Sequence, residues 1–445
     1  MDTNLEREPG RPMTDEEKVQ DFQRKIYRKA KQEPKFRFYI LYDKVRRMDF
    51  LTEAYRRVKA NRGSPGVDGM TFKRIEERGV SKLLLDLQGE LDNGTYTPKP
   101  VKRVMIPKAN GKLRPLGIPT IRDRVVQMSC KMVIEPIFEA DFEDESYGFR
   151  PKRDAKQAMA RIKQNLEAGK TAVYDADLSA YFDTIPHDKL LKLIALRISD
   201  GKILHLIKLW LKAPVMENGR MSGGKGNKVG TPQGGVISPL LANIYLHLLD
   251  RLVKLGKFGK YVAIVRYADD FVLMGSRITD ETLEGVKKLF GRMGLKVNEE
   301  KTRLIDARKD SFDFLGHTVR RVVSSYDAKR KYWAVMPSKK SVQKVAGKVR
   351  EYLRYSVHLP NEVVVKELNT MLRGWLSYFK NPGVVYSHRA RVRLTMFLRD
   401  RLFRFTRRKS QKSRYARCRR TFRRWVNQYG LIDPESYGRT DLVNA

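Results

Sequence analysis

Cysteine is almost absent from this chain, which has only Cys130 and Cys418 in 445 residues. Two distant thiols indicate a reducing compartment without a structural disulfide, and they exclude a cysteine-rich zinc site. A run of 18 apolar residues is also lacking, so no segment is predicted to span a bilayer. Residues 1–6 lack the basic-then-apolar pattern of a signal or transit peptide. These absences predict a cytoplasmic protein without a membrane partner.

Acidic residues are few beside the basic ones. There are 51 Asp and Glu against 91 Lys and Arg, which gives a formal net charge of +40 and a pI near 10.1. A charge this large indicates a polyanionic partner, and nucleic acid fits better than a membrane surface. The hydrophobic content of 41% is sufficient for buried cores, and the length suits two or three domains.

The most informative motif is Tyr267-Ala268-Asp269-Asp270, which lies between the apolar runs 262–265 and 271–274. The apolar runs predict paired strands, so the acids fall in the tight turn between them. Two adjacent carboxylates repel each other unless a cation lies between them, and oxygen-only ligands favour Mg²⁺. The motif therefore predicts half of a two-metal site for phosphoryl or nucleotidyl transfer, with an ordinary acidic turn as the alternative.

A third acidic ligand is needed, and candidates lie upstream. The segment 172–178 alternates as a strand does and places Asp175 and Asp177 on one face. The aromatic pair Tyr181-Phe182 follows, with Asp183 directly after it. This pattern alone leaves Asp175, Asp177 and Asp183 open as the third ligand.

These motifs resemble those of the reverse transcriptase and maturase proteins encoded by bacterial group II introns. The resemblance covers about residues 46–385, and an ordered set of this kind is specific. Tyr181-Phe182-Asp183 departs slightly, since Phe-Phe-Asp is more frequent in the family. The segments that carry the resemblance, in the family's order, are 64–69, 106–120, 146–151, 175–183, 230–243, 267–270, 295–301, 314–316 and 372–379.

The resemblance implies an α+β fold of the right-hand polymerase type, with mixed fingers, an antiparallel-sheet palm and a helical thumb. The expected domains are a charged N-terminal extension at 1–45, fingers at 46–165, a palm with the catalytic acids at 166–335, a helical thumb or maturase domain at 336–385, and a basic nucleic-acid-binding tail at 386–445.

By resemblance, Asp177, Asp269 and Asp270 are the catalytic acids and bind two Mg²⁺ ions, with Leu178 as a further metal contact. One ion activates the primer 3′-hydroxyl, and the other stabilises the pyrophosphate leaving group. The pattern does not decide whether Tyr181 or Phe182 is the steric gate against a ribose 2′-hydroxyl. The residues implied to bind the nucleotide are Lys108, Arg114, Tyr181, Phe182, Gln233 and Lys301.

Further segments are implied to hold nucleic acid. Phe314, Leu315 and Gly316 resemble a primer grip, where glycine permits close backbone approach. From His388 to Arg424 there are sixteen Lys or Arg residues and one acid. We interpret this tail as basic helices on phosphate backbone, with Tyr415, Phe422 and Trp425 available to stack, and a disordered tail as the alternative. The arginines expected to bind nucleic acid are Arg150, Arg373, Arg404, Arg407, Arg408, Arg414, Arg419, Arg420, Arg423 and Arg424.

The predicted function is RNA-directed DNA synthesis, together with intron RNA binding that assists splicing. The expected partners are an intron RNA template, a DNA primer or target DNA, and dNTPs, in the bacterial cytoplasm. A splicing maturase without catalysis, or a related reverse transcriptase in phage defence, remains open. A His/Cys-type endonuclease domain is expected to be missing, because Cys418 stands alone and His388 is the only histidine past residue 360.

Overall fold

The computed structural model describes residues 11–107, 111, 113–224, 226–232, 234–324, 327–409 and 418–437. Lys108, Gln233, Arg414 and Tyr415, to which the sequence assigns roles, lie outside these residues. The chain divides into two compact units. The first comprises Met1–Arg153, Ala176–Val272 and Thr279–Thr302, and the second comprises Asp154–Asp175, Leu273–Ile278 and Arg303–Ala445.

The described residues form helices and strands throughout both units. In chain order the helices are α1 (Asp15–Gln32), α2 (Tyr42–Val45), α3 (Met48–Ala60), α4 (Phe72–Arg78), α5 (Val80–Asp92), α6 (Ile121–Asp141), α7 (Ala155–Glu167), α8 (Tyr181–Thr184), α9 (His187–Ala195), α10 (Gly201–Leu211), α11 (Ser238–Lys254), α12 (Asp280–Met293), α13 (Lys339–Tyr355), α14 (Asn361–Tyr378), α15 (His388–Lys409) and α16 (Cys418–Tyr429). The strands are β1 (Val101–Pro107), β2 (Leu113–Ile118), β3 (Ala172–Ala176), β4 (Val215–Glu217), β5 (Arg220–Ser222), β6 (Ala263–Tyr267), β7 (Asp270–Gly275), β8 (Arg303–Asp306), β9 (Phe312–Phe314), β10 (His317–Val323) and β11 (Lys331–Pro337). Among the described helices, none combines the length and hydropathy that a membrane span requires.

The strands of the described residues form sheets with the orders β2-β1-β4-β5, β6-β7-β3-β8 and β11-β10-β9. The pairs β1–β2, β4–β5, β3–β8, β9–β10 and β10–β11 are antiparallel, whereas β1 and β4 are parallel. Helices combined with mainly antiparallel sheets make an α+β fold, as predicted for a right-hand polymerase. The predicted palm, 166–335, contributes residues to both units.

Helix α1, which lies within the predicted charged N-terminal extension at 1–45, packs against other helices of the first unit. Its Phe22 ring lies edge-on to Phe50 of α3, with ring centroids 5.3 Å apart. Gln23 Nε2 donates a hydrogen bond to the Met132 carbonyl of α6 at 2.9 Å. Apolar positions at helical spacing give α1 a face that is buried against these neighbours.

Helices α13 to α16 enclose one hydrophobic core in the second unit. Residues on both sides of position 385 contribute to it, so the segments predicted as the thumb, 336–385, and the basic tail, 386–445, share one core. The physical reason is that the tail's apolar residues recur at helical spacing and need a partner face. The fully buried side chains of this core include Val349, Val364, Leu368, Leu372, Leu394, Leu398, Leu402 and Phe405.

Two aromatic residues predicted to stack on bases are buried in this core instead. Phe422 and Trp425 of α16 are only 3% and 2% exposed. The Trp425 ring lies edge-on to Phe405 with centroids 5.8 Å apart, and its Nε1 donates to Thr406 Oγ1 at 3.1 Å. Neither ring is available to a base, and the alternative of a disordered tail does not apply to α15 and α16.

Replacing Trp425 with alanine tests whether α16 belongs to the core. We expect Trp425→Ala to lower the free energy of unfolding by about 3–5 kcal/mol, because a large buried ring leaves a cavity. Urea denaturation followed by circular dichroism measures this change. Asn427→Ala, an exposed position on the same helix, should change it by less than about 0.5 kcal/mol. Equal small effects of the two substitutions would contradict the assignment.

Candidate active site

A hairpin between β6 and β7 carries the two adjacent acids. Strand β6 ends at Tyr267 and β7 begins at Asp270, so Ala268 and Asp269 form the connection. Ala268 has a φ of +59°, in the left-handed region that costs a non-glycine residue about 1–2 kcal/mol. Asp269 is half-buried and Asp270 is exposed. The predicted tight turn between paired strands is therefore present.

Asp177 lies immediately after β3, where the chain leaves the sheet. Its backbone carbonyl accepts the Asn298 N–H at 2.8 Å. Its carboxylate Oδ2 accepts a hydrogen bond from Lys301 Nζ at 2.7 Å and another from Asn298 Nδ2 at 3.3 Å. Leu178, the further predicted metal contact, has a buried apolar side chain, which leaves the main-chain carbonyl as its only oxygen.

Strand β3, which ends directly before Asp177, is the neighbour in the sheet of β7, which begins at Asp270. Burial raises the pKa of Asp269 above its ordinary value, and the Asp177 carboxylate raises it further by charge repulsion. Asp175, by contrast, lies opposite Arg303 in the β3–β8 pair, and Asp183 is exposed on α8. The structure therefore brings Asp177 together with the turn at 267–270.

The three acids are chemically suited to a divalent cation, although the side chains are not gathered around one. Asp177, Asp269 and Asp270 offer carboxylate oxygens, which are the ligands that Mg²⁺ prefers. A cation between Asp177 and Asp269 would relieve their repulsion. As the side chains stand, no group of three or more His, Cys, Asp or Glu in the described part of the chain is arranged to hold a metal ion. Metal binding would therefore require these side chains to rearrange, and the Lys301–Asp177 ion pair would have to break.

The β1–β2 hairpin brings a positive charge to the acids. Arg114 lies on β2 opposite Ile106, and its exposed guanidinium opposes the burial that raises the pKa of Asp269. A Cβ at Gly234 would collide with the carbonyl oxygen of Gly117 on β2, so the backbone at Gly234 packs on the same hairpin. The structure thus places a predicted nucleotide contact beside the acids, while Lys108 and Gln233 lie outside the described residues.

The two aromatic residues after Asp177 have different surroundings. Tyr181 is fully packed, and its hydroxyl donates to the Ala242 carbonyl of α11 at 2.6 Å. Phe182 meets Tyr181 edge-on with centroids 5.5 Å apart and is 8% exposed. The Phe182 carbonyl accepts the Thr231 N–H at 2.7 Å, which joins it to the loop at 230–235. Both residues are therefore buried; Tyr181 is additionally held by its hydroxyl, and Phe182 is the slightly more exposed of the two.

Two known families match the chain in successive segments. The family described as "Reverse transcriptase (RNA-dependent DNA polymerase)" matches residues 106–319. The family described as "Group II intron, maturase-specific domain" matches residues 342–425, which span α13 to α16. Protein YkfC of Escherichia coli strain K12 is 37% identical over 352 residues, which cover 70% of this chain and 91% of YkfC. The chain belongs to the group II intron reverse transcriptase and maturase family.

A second relative is longer than this chain. Group II intron-encoded protein LtrA of Lactococcus lactis subsp. cremoris is 34% identical over 346 residues, which cover 63% of this chain but only 56% of LtrA. A chain of a solved structure, the partial Cas6-RT-Cas1–Cas2 complex, aligns at 21% identity over 56% of this chain and 42% of its own length, with a TM-score of 0.36 that is too low to carry an argument. Members of the reverse transcriptase family generally use divalent metal ions, and the matched domains imply RNA and DNA partners.

Beneath the acids, this family member has a buried ion pair that sequence reasoning missed. Arg266 of β6 and Asp250 of α11 have no exposed side-chain surface, and Arg266 Nη2 lies 2.5 Å from Asp250 Oδ2. Arg266 Nη1 donates to the Ala268 carbonyl at 2.9 Å. The available signal was a single arginine in an otherwise apolar strand, because such a residue needs a buried partner.

Arg150 does not face nucleic acid, which corrects its predicted role. Its side chain is only 3% exposed and pairs with Glu139, with Nη2 at 3.0 Å from Oε2. Its Nη1 donates to the carbonyls of Glu143 and Ser146 at 2.6 and 2.7 Å. The guanidinium is thus committed to the protein, where it holds the segment before it in place.

The predicted primer grip forms a tight turn in the second unit. Leu315 and Gly316 both have left-handed φ values, +47° and +73°. The Leu315 carbonyl accepts hydrogen bonds from Tyr378 Oη and His317 Nδ1, each at 2.9 Å. Burial lowers the pKa of His317 to about 4, so the ring is neutral near pH 7 and donates through Nδ1. Phe314, at the end of β9, is buried.

The arginines predicted to bind nucleic acid are exposed in the described part of the maturase-specific segment. They lie on the faces of α14, α15 and α16 that are turned away from the core, as expected for amphipathic helices. Arg414 lies outside the described residues. The exposed arginines are Arg373, Arg404, Arg407, Arg408, Arg419, Arg420, Arg423 and Arg424.

A substitution at Gly148 tests how closely the β6–β7 hairpin is packed. A Cβ at this position would lie 2.8 Å from the Tyr267 carbonyl carbon, so backbone must shift to accept it. We expect Gly148→Ala to destabilise the first unit by about 1–3 kcal/mol, as measured by thermal unfolding. Gly89→Ala in α5 is the matched control, since a Cβ there meets nothing within 4 Å and alanine favours the helix by up to about 1 kcal/mol. A Gly148→Ala protein as stable as the control would contradict the packing.

Proposed function

We propose that this protein is an RNA-directed DNA polymerase of the group II intron type, which copies RNA into DNA and binds intron RNA to assist splicing. The observation that carries the proposal is the location of Asp177 beside the turn with Asp269 and Asp270. A protein that only binds RNA has no need of three carboxylates at one place, because they repel phosphates. Membership of the reverse transcriptase family supports the same function.

Two Mg²⁺ ions held by Asp177, Asp269 and Asp270 would activate the primer 3′-hydroxyl and stabilise the departing pyrophosphate. Leu178 would contribute its main-chain carbonyl to this site. Lys301 now neutralises Asp177, and its side chain is 63% exposed. If a metal ion took its place on Asp177, the Lys301 ammonium would be free to contact the triphosphate, so Lys301 would act as an exchangeable counter-ion of the site.

The incoming nucleotide lies between the acids and the β1–β2 hairpin. Arg114, whose charge already acts on Asp269, faces the triphosphate together with Lys108. Phe182 acts as the steric gate, because the Tyr181 hydroxyl is held by α11 whereas the Phe182 ring is nearer to solvent. Gln233, whose neighbour Gly234 packs on the same hairpin, contacts the base pair.

Nucleic acid lies along the basic surfaces of the chain. The exposed arginines of α14 to α16 contact the phosphate backbone of intron RNA, so we expect binding to weaken as salt rises. The turn at 314–316 supports the primer strand, since its backbone is held by Tyr378 and Ser338 and its Gly316 has no side chain to block approach.

Removing the two adjacent carboxylates tests the polymerase proposal. The Asp269→Asn, Asp270→Asn double variant should lose Mg²⁺-dependent primer extension on an RNA template by about a thousandfold or more, because neutral amides do not hold the metals. Its affinity for intron RNA and its help in splicing should persist. Asp280→Asn, at an exposed helix start in the same unit, controls for the loss of an acid. A folded wild-type chain that supports splicing but extends no primer would show a maturase without catalysis.

Replacing the Phe182 ring with a smaller side chain tests the steric gate. Phe182→Val should increase the incorporation of ribonucleotides relative to deoxyribonucleotides by about tenfold or more, because space opens for the 2′-hydroxyl. Single-nucleotide incorporation with each substrate measures the ratio. Tyr181→Phe removes only the hydrogen bond to Ala242 and should leave the ratio unchanged, at a stability cost of about 1 kcal/mol. An unchanged ratio in Phe182→Val would assign the gate elsewhere.

A further inference from the structure

We propose that Arg266 is a positioning residue for nucleotidyl transfer: its buried guanidinium, anchored by Asp250, holds the turn that carries Asp269 and Asp270 in the geometry that metal binding requires. The inference rests on the proposed polymerase function and specifies how the same site is kept in place. Arg266 touches neither substrate nor metal in this scheme, so its effect passes through the backbone of the turn.

The ion pair is completely withdrawn from solvent. Both side chains have no exposed surface, and Arg266 Nε donates to Asp250 Oδ1 at 2.8 Å while Nη2 donates to Oδ2 at 2.5 Å. Burial of two charges is expensive, and a well-packed apolar pair of similar volume is often equally stable. Stability alone therefore does not explain why this ion pair is present. The remaining donor of the guanidinium, Nη1, offers an explanation.

That remaining donor, Arg266 Nη1, meets the catalytic turn. It donates to the Ala268 carbonyl at 2.9 Å. Because a peptide group is planar, fixing the carbonyl oxygen of Ala268 also fixes the orientation of the Asp269 amide. Ala268 is the residue of the turn with the left-handed φ of +59°, a conformation that needs support in a residue with a Cβ. The hydrogen bond thus acts on the peptide that aims the two carboxylates.

A second set of contacts ties the same guanidinium to the other side of the turn. Arg266 Nη1 also donates to Asn243 Oδ1 at 2.9 Å, and Asn243 Nδ2 donates to the Gly148 carbonyl at 2.8 Å. Gly148 packs directly on the Tyr267–Ala268 backbone, where no side chain would fit. The turn is therefore held between a planar cation on one side and the Gly148 backbone on the other.

The arrangement also keeps the cation from competing with a metal. A lone guanidinium beneath the acids would attract their carboxylates strongly, whereas the bidentate pairing with Asp250 offsets much of its charge. The part that remains still acts on Asp269 and opposes the rise of its pKa. Arg266 is thereby left with the directional hydrogen bonds of its planar fork, which a lysine does not reproduce.

Two variants separate positioning from stability. Arg266→Met with Asp250→Leu removes both charges together and should leave the unfolding temperature close to that of the wild type. Nucleotide addition by the full chain on a primer–template should nevertheless slow by about 10- to 100-fold, because the acids are displaced. The Mg²⁺ concentration for half-maximal rate should rise by about tenfold, while the KM for dNTP changes by less than about threefold.

A direct binding measurement accompanies the kinetics. Mn²⁺ titration of the full chain with a dideoxy-terminated primer–template, followed by electron paramagnetic resonance, should show affinity weakened by about tenfold in the same variant. Arg266→Lys keeps the charge pair with Asp250 but lacks the planar fork, so it should fold and show the same signature in milder form. If the double variant does not fold, Arg266→Lys tests the positioning role by itself.

A buried pair elsewhere in the first unit provides the control. Arg197 Nε lies 3.0 Å from Asp141 Oδ2 with both side chains largely buried. Arg197→Met with Asp141→Leu should retain the wild-type Mg²⁺ requirement and Mn²⁺ affinity per folded molecule. Wild-type rates and metal affinities in the Arg266 variants would overturn the proposal, whatever their stability. A wild-type chain that extends no primer would overturn the polymerase function, whereas weaker Mn²⁺ binding by the Arg266 variants would still support positioning.

Discussion

The first unit holds like-charged carboxylates close together in a partly buried site, and this constraint shapes the rest of the unit. Burial and the carboxylate of Asp177 both raise the pKa of Asp269, so the fold holds these acids against their electrostatic preference. The backbone keeps the acids in place: the β6–β7 hairpin sets two of them side by side, and the Asn298 N–H donates to the Asp177 carbonyl. Such a site attracts cations, and Lys301, Arg114 and Arg266 are among the cations that the chain itself supplies.

In the second unit, a strongly basic segment stays folded because it buries an apolar face. Helices α15 and α16 direct Leu402, Phe405 and Trp425 inward while their arginines remain exposed. The apolar face fixes the positions of charges that would otherwise repel one another in a mobile tail. A preorganised basic surface loses less conformational entropy when it meets a phosphate backbone than a disordered one does.

Much of the candidate site was predictable because local pattern carries it. Apolar runs on both sides of Tyr267-Ala268-Asp269-Asp270 predict a hairpin, and alternation around Asp177 predicts the strand that precedes it. The burial of Arg150 and the Arg266–Asp250 pair were not predictable in this way. An arginine beside a motif has the same local pattern whether it faces solvent or a buried carboxylate, and the choice depends on residues distant in sequence.

The sequence by itself determined the chemistry of the site, the family to which the chain belongs and the strong positive charge, since each follows from residue types and their order. Only the tertiary structure decided which acid lies beside the turn, that the Tyr181 hydroxyl is held by α11, and that Phe422 and Trp425 are internal. The physical reason is that burial and charge coupling depend on distances between side chains, and those distances are set when remote segments pack together.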